Sequence, residues 1–285
     1  MTRILVTGAT GLQGGAVVGQ LRMRGFAVRA MVRDVSSGAA RVLDEAGCEL
    51  IQADFDQPET LLPALTGVAA AFLVLPLSPG ELELKRGRAF VEAASRAGLP
   101  YLVYSSALDA RHRTGVEHFD SKFELRNRLA DSSLEHLVLG PGGFMENLLF
   151  PQTWNGLAKG KLVTPFRPEI KQALVSVEDI GRCAAACLSE PGLGGLAGDF
   201  VPLWSDHLNG HEQAEIIAEV KGQRVRAGRL PWLLTRVFLG RQLTGMFDYF
   251  NRESELPIPD NRIFLEIVSK PLSFRQWLQR QSVPS

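Results

Sequence analysis

An α/β fold built on a doubly wound parallel sheet is what this sequence predicts, and three observations predict it. Short apolar runs rich in Val, Ile, Leu and Ala alternate with helical stretches through the first half of the chain. The first such run leads directly into a glycine-rich turn, Gly8-Ala-Thr-Gly11-Leu-Gln-Gly14-Gly15. Residues 68–75 are continuously apolar, which marks a strand covered on both faces rather than one.

The elements follow in order. Residues 4–7 read as a buried strand and 13–24 as a helix closed by Gly25; 27–32 is a second strand, 39–46 a helix ended by Gly47, and 50–53 a third strand. Asp56, Pro58 and Glu59 carry the start signals of a helix running to Leu65: a cap, an early proline and a capping-box acid. The strand at 68–75 is followed by a helix over about 82–97, a strand at 101–105, a helix over about 119–130 and a strand at 135–139. Alternation repeated this often means parallel strands with helices on both faces, and right-handed crossovers make the sheet doubly wound. Beyond Pro141 the rhythm loosens around Gly156, Gly160, Pro165 and Pro168. A helix follows residues 175–181, residues 192–198 read as a loop, and further helices lie at about 211–221, 232–249 and 274–281. The expected organisation is a main domain over residues 1–150 and a smaller mixed lobe over 151–285, with a discontinuous boundary allowed.

Composition narrows the function classes. The 285 residues are 45% hydrophobic, enough to bury a sizeable core. The 31 Lys and Arg balance 31 Asp and Glu, so the chain lacks the basic footprint expected for nucleic acid or an anionic membrane. Three cysteines, Cys48, Cys183 and Cys187, are too few for a disulfide framework and fit a reducing compartment. Cys183 and Cys187 share a helix face with no His nearby, so they read as small core residues and no metal site is expected. No apolar run approaches the roughly 20 residues of a bilayer span, and the N-terminus enters a strand without a leader pattern. A cytoplasmic protein without membrane or nucleic-acid partners is the expectation.

The glycine turn carries the chemistry. Glycines are needed where a strand turns tightly into a helix, where the backbone must approach a pyrophosphate, and where the helix packs closely on the strand. The anion then rests on free N–H groups at the positive helix end. Gly8, Thr10, Gly11, Leu12, Gln13 and Gly14 are therefore expected to cradle a dinucleotide. The second strand ends at Arg33, which suits a 2′-phosphate and so favours NADP(H). Two alternatives remain open: Arg33 as a surface arginine paired with Asp34, or Asp34 as an NAD-type acid displaced by one position. Asp54 and Phe55, ending the third strand, are placed to flank the adenine, although Asp54 also reads as a loop cap. Leu75 and Pro76, ending the fourth, should run near the cofactor's middle.

The glycine motif, Arg33 and the alternation resemble the extended short-chain dehydrogenase/reductase superfamily, and Gly-Ala-Thr-Gly-Leu-Gln-Gly-Gly narrows the resemblance to its atypical NmrA-like branch. His118-Phe-Asp-Ser-Lys122, Pro141-Gly-Gly-Phe-Met-Glu-Asn-Leu148 and Val177-Glu-Asp-Ile-Gly181 agree with it; Met246-Phe-Asp-Tyr-Phe250 and Gln276-Trp-Leu278 look like HSCARG-type NADP-binding proteins. The resemblance implies a Rossmann fold, NADP(H), and a Tyr-x-x-x-Lys pair on the helix after the fifth strand. Here Lys122 fills the lysine position but His118 stands where the tyrosine would be, and none of Tyr101, Tyr104 and Tyr249 has that spacing. This departure argues against epimerase and alcohol dehydrogenase chemistry.

What remains is read as follows. Lys122 should contact the nicotinamide ribose, and the resemblance suggests that Lys85 faces the cofactor. His118 is a candidate general acid, since histidine titrates near neutrality; a solvent-facing histidine at a helix start is the alternative. Ser105 and Ser106 end the fifth strand near the nicotinamide. Gly142 permits close backbone approach, and Phe144 and Asn147 should line the cofactor and substrate side. At Gly140, relatives often carry Arg. Phe247, Phe250 and Trp154 either complete an apolar pocket or are core aromatics. Two functions fit: an NADPH-dependent reductase of an apolar, electron-poor acceptor such as a quinone, which tolerates the missing tyrosine because water can protonate the product; or a non-catalytic NADP(H) redox sensor with a regulated protein partner. Either works as a monomer or homodimer.

Overall fold

Seven parallel strands carry the fold in this computed structural model, which describes residues 2–150, 156–252 and 257–281. They are β1 (Arg3–Val6), β2 (Ala27–Val32), β3 (Glu49–Gln52), β4 (Ala70–Leu73), β5 (Leu102–Ser105), β6 (His136–Pro141) and, after three strands that lie elsewhere, β10 (Phe200–Leu203). Their order across the sheet is β10-β6-β5-β4-β1-β2-β3, so the winding reverses between β1 and β4. Ile4 sits between Val28 and Ala70 at that switch point. In an open sheet of this kind, ligands lie across the carboxyl ends of the strands at the reversal.

Side-chain alternation assigns each strand residue to one of two cores. Ile4 and Val6 face α1 (Leu12–Met23), burying Val17 and Leu21, while Leu5 faces α3 (Leu61–Leu65) and α4 (Gly80–Arg96), burying Leu61 and Phe90. Helix α2 (Gly38–Glu45) packs with the first core through Ala40, and α5 (Glu117–Ala130) with the second through Leu125. Every residue of β4 is buried, as its unbroken apolar run requires. The expected helix beginning at Asp56 differs: a 3-10 turn at Pro58–Thr60 precedes α3, and no side chain caps either start. Asp56 instead pairs with Arg86.

After β6 the chain forms a small lobe and then returns. Strands β7 (Gly143–Phe144), β9 (Gln172–Val175) and β11 (Asp206–Leu208) make a three-stranded sheet, and β8 (Lys161–Thr164) pairs with β12 (Arg226–Arg229). Between them α6 (Val177–Ser189) docks on α1 so closely that a Cβ on Gly181 would lie 2.8–2.9 Å from Ala16 atoms. Cys183 and Cys187 are fully buried in the first core, as expected of core cysteines. Ile180, Leu188, Val201 and Leu203 join the same core. Strand β10 escaped the sequence reading because Pro202 interrupts it. The proline is tolerated because β10 is an edge strand pairing only with β6.

The remaining helices are α7 (Gly210–Lys221), α8 (Trp232–Arg252, broken at Gly240 where φ is 73°), α9 (Arg262–Val268) and α10 (Phe274–Arg280). Helix α9 joins the main core through Phe264 and Val268; α7 and α10 enclose the small lobe's own core around Leu162, Ile217 and Trp277. Among the described residues no helix is long and apolar enough to cross a membrane.

Candidate functional site

Strand β1 ends through Thr7, whose hydroxyl donates to the Val74 carbonyl (3.0 Å) and accepts from its N–H (2.8 Å), tying the end of β1 to the end of β4. The chain then turns at Gly8 with φ +57°. A Cβ on Gly14 would stand 2.2 Å from the Gly8 carbonyl oxygen, so helix and turn approach closer than any side chain allows. Side chains cap α2, α6, α7 and α10 (Ser37, Ser176, Asn209, Ser273), but none caps α1 at Gly11, and its first turn holds no acid. The open positive end and the glycine cradle fit a pyrophosphate. Thr10, Gly11 and Leu12 are exposed there.

Next to this turn, Arg33 is exposed and forms no ion pair among the described residues. Its neighbour Asp34 folds back onto Ser36, accepting from its N–H (2.8 Å) and hydroxyl (2.6 Å), and these bonds hold the carboxyl below its ordinary pKa. Asp34 is therefore occupied by its own loop. Asp54 likewise accepts from the Asp56 N–H (3.0 Å), the capping arrangement, while Phe55 packs against Phe90 with ring centres 6.1 Å apart. Asp56 takes two bonds from Arg86, and the fields of Lys85 and Arg33 lower its pKa further. Lys85 is exposed. Leu75 is buried and Pro76 exposed where β4 ends.

At the other end of the cleft, the Ser105 hydroxyl donates to the Gln13 side-chain oxygen at 2.6 Å, joining β5 to α1. Lys122 on α5 is buried and pairs with Glu83 on α4, which is 1% exposed. The second Glu83 oxygen lies 3.9 Å from His118 Nδ1, and neither atom has a hydrogen-bond partner among the described residues. The Tyr104 and Ser106 hydroxyls are also buried without a well-formed hydrogen bond there. Burial raises the Glu83 carboxyl pKa, offset in part by the Lys122 ammonium. Burial and the same ammonium push His118 down to about 3, so its imidazole is neutral at physiological pH. The His118 side chain is 15% exposed, half-buried between α5 and Glu83. The Tyr104 phenol is pushed well above its usual range by burial and by Glu83, and it stays protonated.

Sequence reasoning missed Glu83 and Tyr104. A signal for Glu83 was present: it lies on the buried face of α4 with Gly87, Phe90, Val91 and Ala94, an acid in an apolar stripe. Lys122 sits the same way among Phe119, Leu125 and Leu129 on α5. The helices meet because Gly87 has no side chain; a Cβ there would lie 2.4 Å from Leu125.

Opposite, the Gly142 N–H donates to the Leu203 carbonyl (2.9 Å), and a Cβ on Gly142 would stand 2.5 Å from the Ala173 oxygen. Phe144 is half-buried against the main core, and Asn147 is exposed. The Phe200 ring fills the space beside Gly140, 2.1 Å from a would-be Cβ, so no larger side chain fits without moving it. Phe247 stacks edge-on to Phe166 (5.0 Å), while Phe250 meets Phe119 and Phe166 (each 5.7 Å). Phe119, Tyr249 and the partly buried Phe250 belong to a minor core; Trp154 lies outside the described residues. Among the described residues, no group of three His, Cys, Asp or Glu is placed to hold a metal ion.

A sequence model of the NmrA-like family matches residues 1–269. The chain belongs to the NmrA-like family. This NmrA-like chain is 31% identical to the NAD(P)H azoreductase of Xenophilus azovorans over 224 residues, 78% of this chain and 75% of that protein. It is 28% identical to the photosystem II assembly factor Ycf39 of Guillardia theta over 260 residues, 88% and 80% of the respective chains. The Escherichia coli NADPH-dependent quinone oxidoreductase QOR2, solved with NADPH, shares the fold at a TM-score of 0.82 and 24% identity, covering 96% of this chain and 98% of that one.

Proposed function

We propose that this NmrA-like protein binds NADP(H) across the carboxyl ends of β1 to β6 and reduces an electron-poor organic acceptor such as a quinone. The observation that carries the cofactor half is the uncapped glycine turn at the switch point, with Arg33 beside it free of ion pairs among the described residues. The names of the azoreductase and quinone oxidoreductase relatives support the redox half.

In this reading, the backbone of Gly8, Thr10, Gly11, Leu12, Gln13 and Gly14 holds the pyrophosphate. Arg33 pairs with the 2′-phosphate and Lys85 adds positive charge nearby. Asp54 and Phe55 border the adenine, Leu75 and Pro76 the middle of the cofactor. Ser105 and Lys122 hold the nicotinamide ribose, and Gly142, Phe144 and Asn147 wall the acceptor side. When bound, NADPH supplies a hydride. The acceptor also gains a proton from water, so a quinone leaves as a hydroquinone with NADP+ as the other product; orientation and exclusion of bulk water matter more than a dedicated acid. His118, neutral and half-buried, shapes the wall beside Lys122. The three cysteines, all unpaired and buried, support work in a reducing, cytoplasmic setting.

The test follows NADPH absorbance with a panel of quinones and conjugated aromatic acceptors, with Lys122→Ala alongside. Multiple turnovers that fall at least tenfold in the variant are expected. Tight NADPH binding without turnover on any acceptor overturns the reductase and favours a cofactor sensor.

A further inference from the structure

A cleft of about 740 Å³ opens between the start of α5, the loop leading into α4, and the α8–β12 side of the small lobe. Pro79, Val116 and Glu117 line one side, immediately before His118 and one helical turn before Lys122 on the same helix. The opposite side presents Arg167, Arg229 and Arg252. The cleft also holds two carboxylates, and both already have donors: Glu117 accepts from the Gly80 N–H (2.7 Å) and Asp248 from the Trp232 indole (3.1 Å). Among the described residues, eight other arginines pair with a carboxylate. None of these three does so among the described residues; Arg252 donates only to the Asp248 backbone carbonyl, at 3.3 Å. Three arginines against two carboxylates give the described lining of this recess a formal charge of +1. Guanidinium is planar, stacks on aromatic faces and forks onto carboxylate or sulfonate oxygens in pairs. The aromatic side chains nearby pack on one another and do not line this recess.

We propose that this cleft, which lies apart from the Gly142, Phe144 and Asn147 wall, holds the anionic end of the acceptor, an aromatic compound bearing a sulfonate or carboxylate held by Arg167, Arg229 and Arg252. The proposal rests on the reductase reading above and sharpens its acceptor from apolar to anionic. The ring lies toward the α5 start, the anionic group toward the arginines, and added salt weakens binding because the arginines are exposed.

The experiment compares 1,4-naphthoquinone with its 2-sulfonate in NADPH oxidation by wild-type protein and by Arg167→Ala, Arg229→Ala and Arg252→Ala. In parallel, it titrates naphthalene-1-sulfonate, which is not reduced, into NADP+-loaded protein by calorimetry. The wild-type protein is expected to prefer the sulfonated quinone, and each variant to lower the sulfonated-to-neutral ratio of kcat/KM by about tenfold, the size of a charge-assisted contact. Sulfonate titration should weaken in step. Thermal melts identify any variant that fails to fold, and Arg→Lys at the same position then replaces it, with a smaller loss expected from a point charge. A ratio unchanged in all three variants, or no response of sulfonate binding to them, overturns the proposal. Sulfonate binding that falls in the variants without turnover of either quinone overturns the reductase reading and leaves the anion site standing.

Discussion

The two ends of the cleft are built from different materials. The glycine-turn end is backbone: Gly8, Gly11 and Gly14 let the turn and α1 approach closely, and the arginine and lysine beside it, Arg33 and Lys85, are exposed. The far end is side chains: Glu83 and Lys122 are brought together from two helices and withdrawn from solvent, with His118 half-buried beside them. The first costs little to assemble, because exposed peptide groups need no desolvation. The second is expensive, because each buried charge must be compensated by its neighbour. Backbone sites are therefore robust and recur with the same short motif, whereas buried ion pairs depend on how closely two helices approach.

The largest effect that would break this comparison is at Glu83. Glu83→Ala leaves the Lys122 ammonium buried without its carboxylate and should cost about 3–5 kcal/mol of stability. Urea unfolding of the variant measures it, and a loss under about 1 kcal/mol would show that the pair is not the anchor the structure draws.

His118 sharpens the same contrast through pH. Its pKa falls from the ordinary 6.5 to about 3 in the folded protein. Above pH 6.5 both folded and unfolded states carry it neutral, and its contribution is fully present. As pH falls below that, the unfolded chain takes a proton that the fold refuses, so stability is lost progressively down to about pH 3. The loss should be on the order of 2–4 kcal/mol, read from the linkage of pKa to free energy and allowing for partial exposure. His118→Phe should flatten this limb of a stability-versus-pH curve; an unchanged slope would place the acid sensitivity elsewhere.

The smallest effect belongs to the exposed glycine-turn end. Arg33→Ala should weaken NADPH binding by about tenfold while leaving NADH binding nearly as it was, the loss of one charge-assisted contact in water. Equal losses for both cofactors by calorimetry would remove the 2′-phosphate assignment and return Asp34 to consideration.

Much of the fold was legible because it is local. The strand–turn–helix at residues 4–24, the buried run that contains β4, and the helices from α4 to α8 are each declared by a pattern within one or two dozen residues. Strand β10 was not, since its proline argues against a strand unless one knows that nothing pairs on its far side. Asp56 was misassigned for the same reason: its helix-start signal is real, but Arg86, 30 residues away, captures the carboxylate. The aromatics Phe247 and Phe250 carried two readings, pocket wall or core; each packs on neighbouring rings and each stays partly exposed.

By itself, then, the sequence determined the wound sheet, the glycine cradle and the lysine on α5, because chain geometry and periodicity act over short distances. The tertiary structure alone decided that Glu83 meets Lys122, that His118 loses its charge, and that three arginines far apart in the chain face one recess. Those outcomes depend on burial and on charges brought together across the fold. No local pattern encodes a desolvation cost that exists only once two helices have closed on each other.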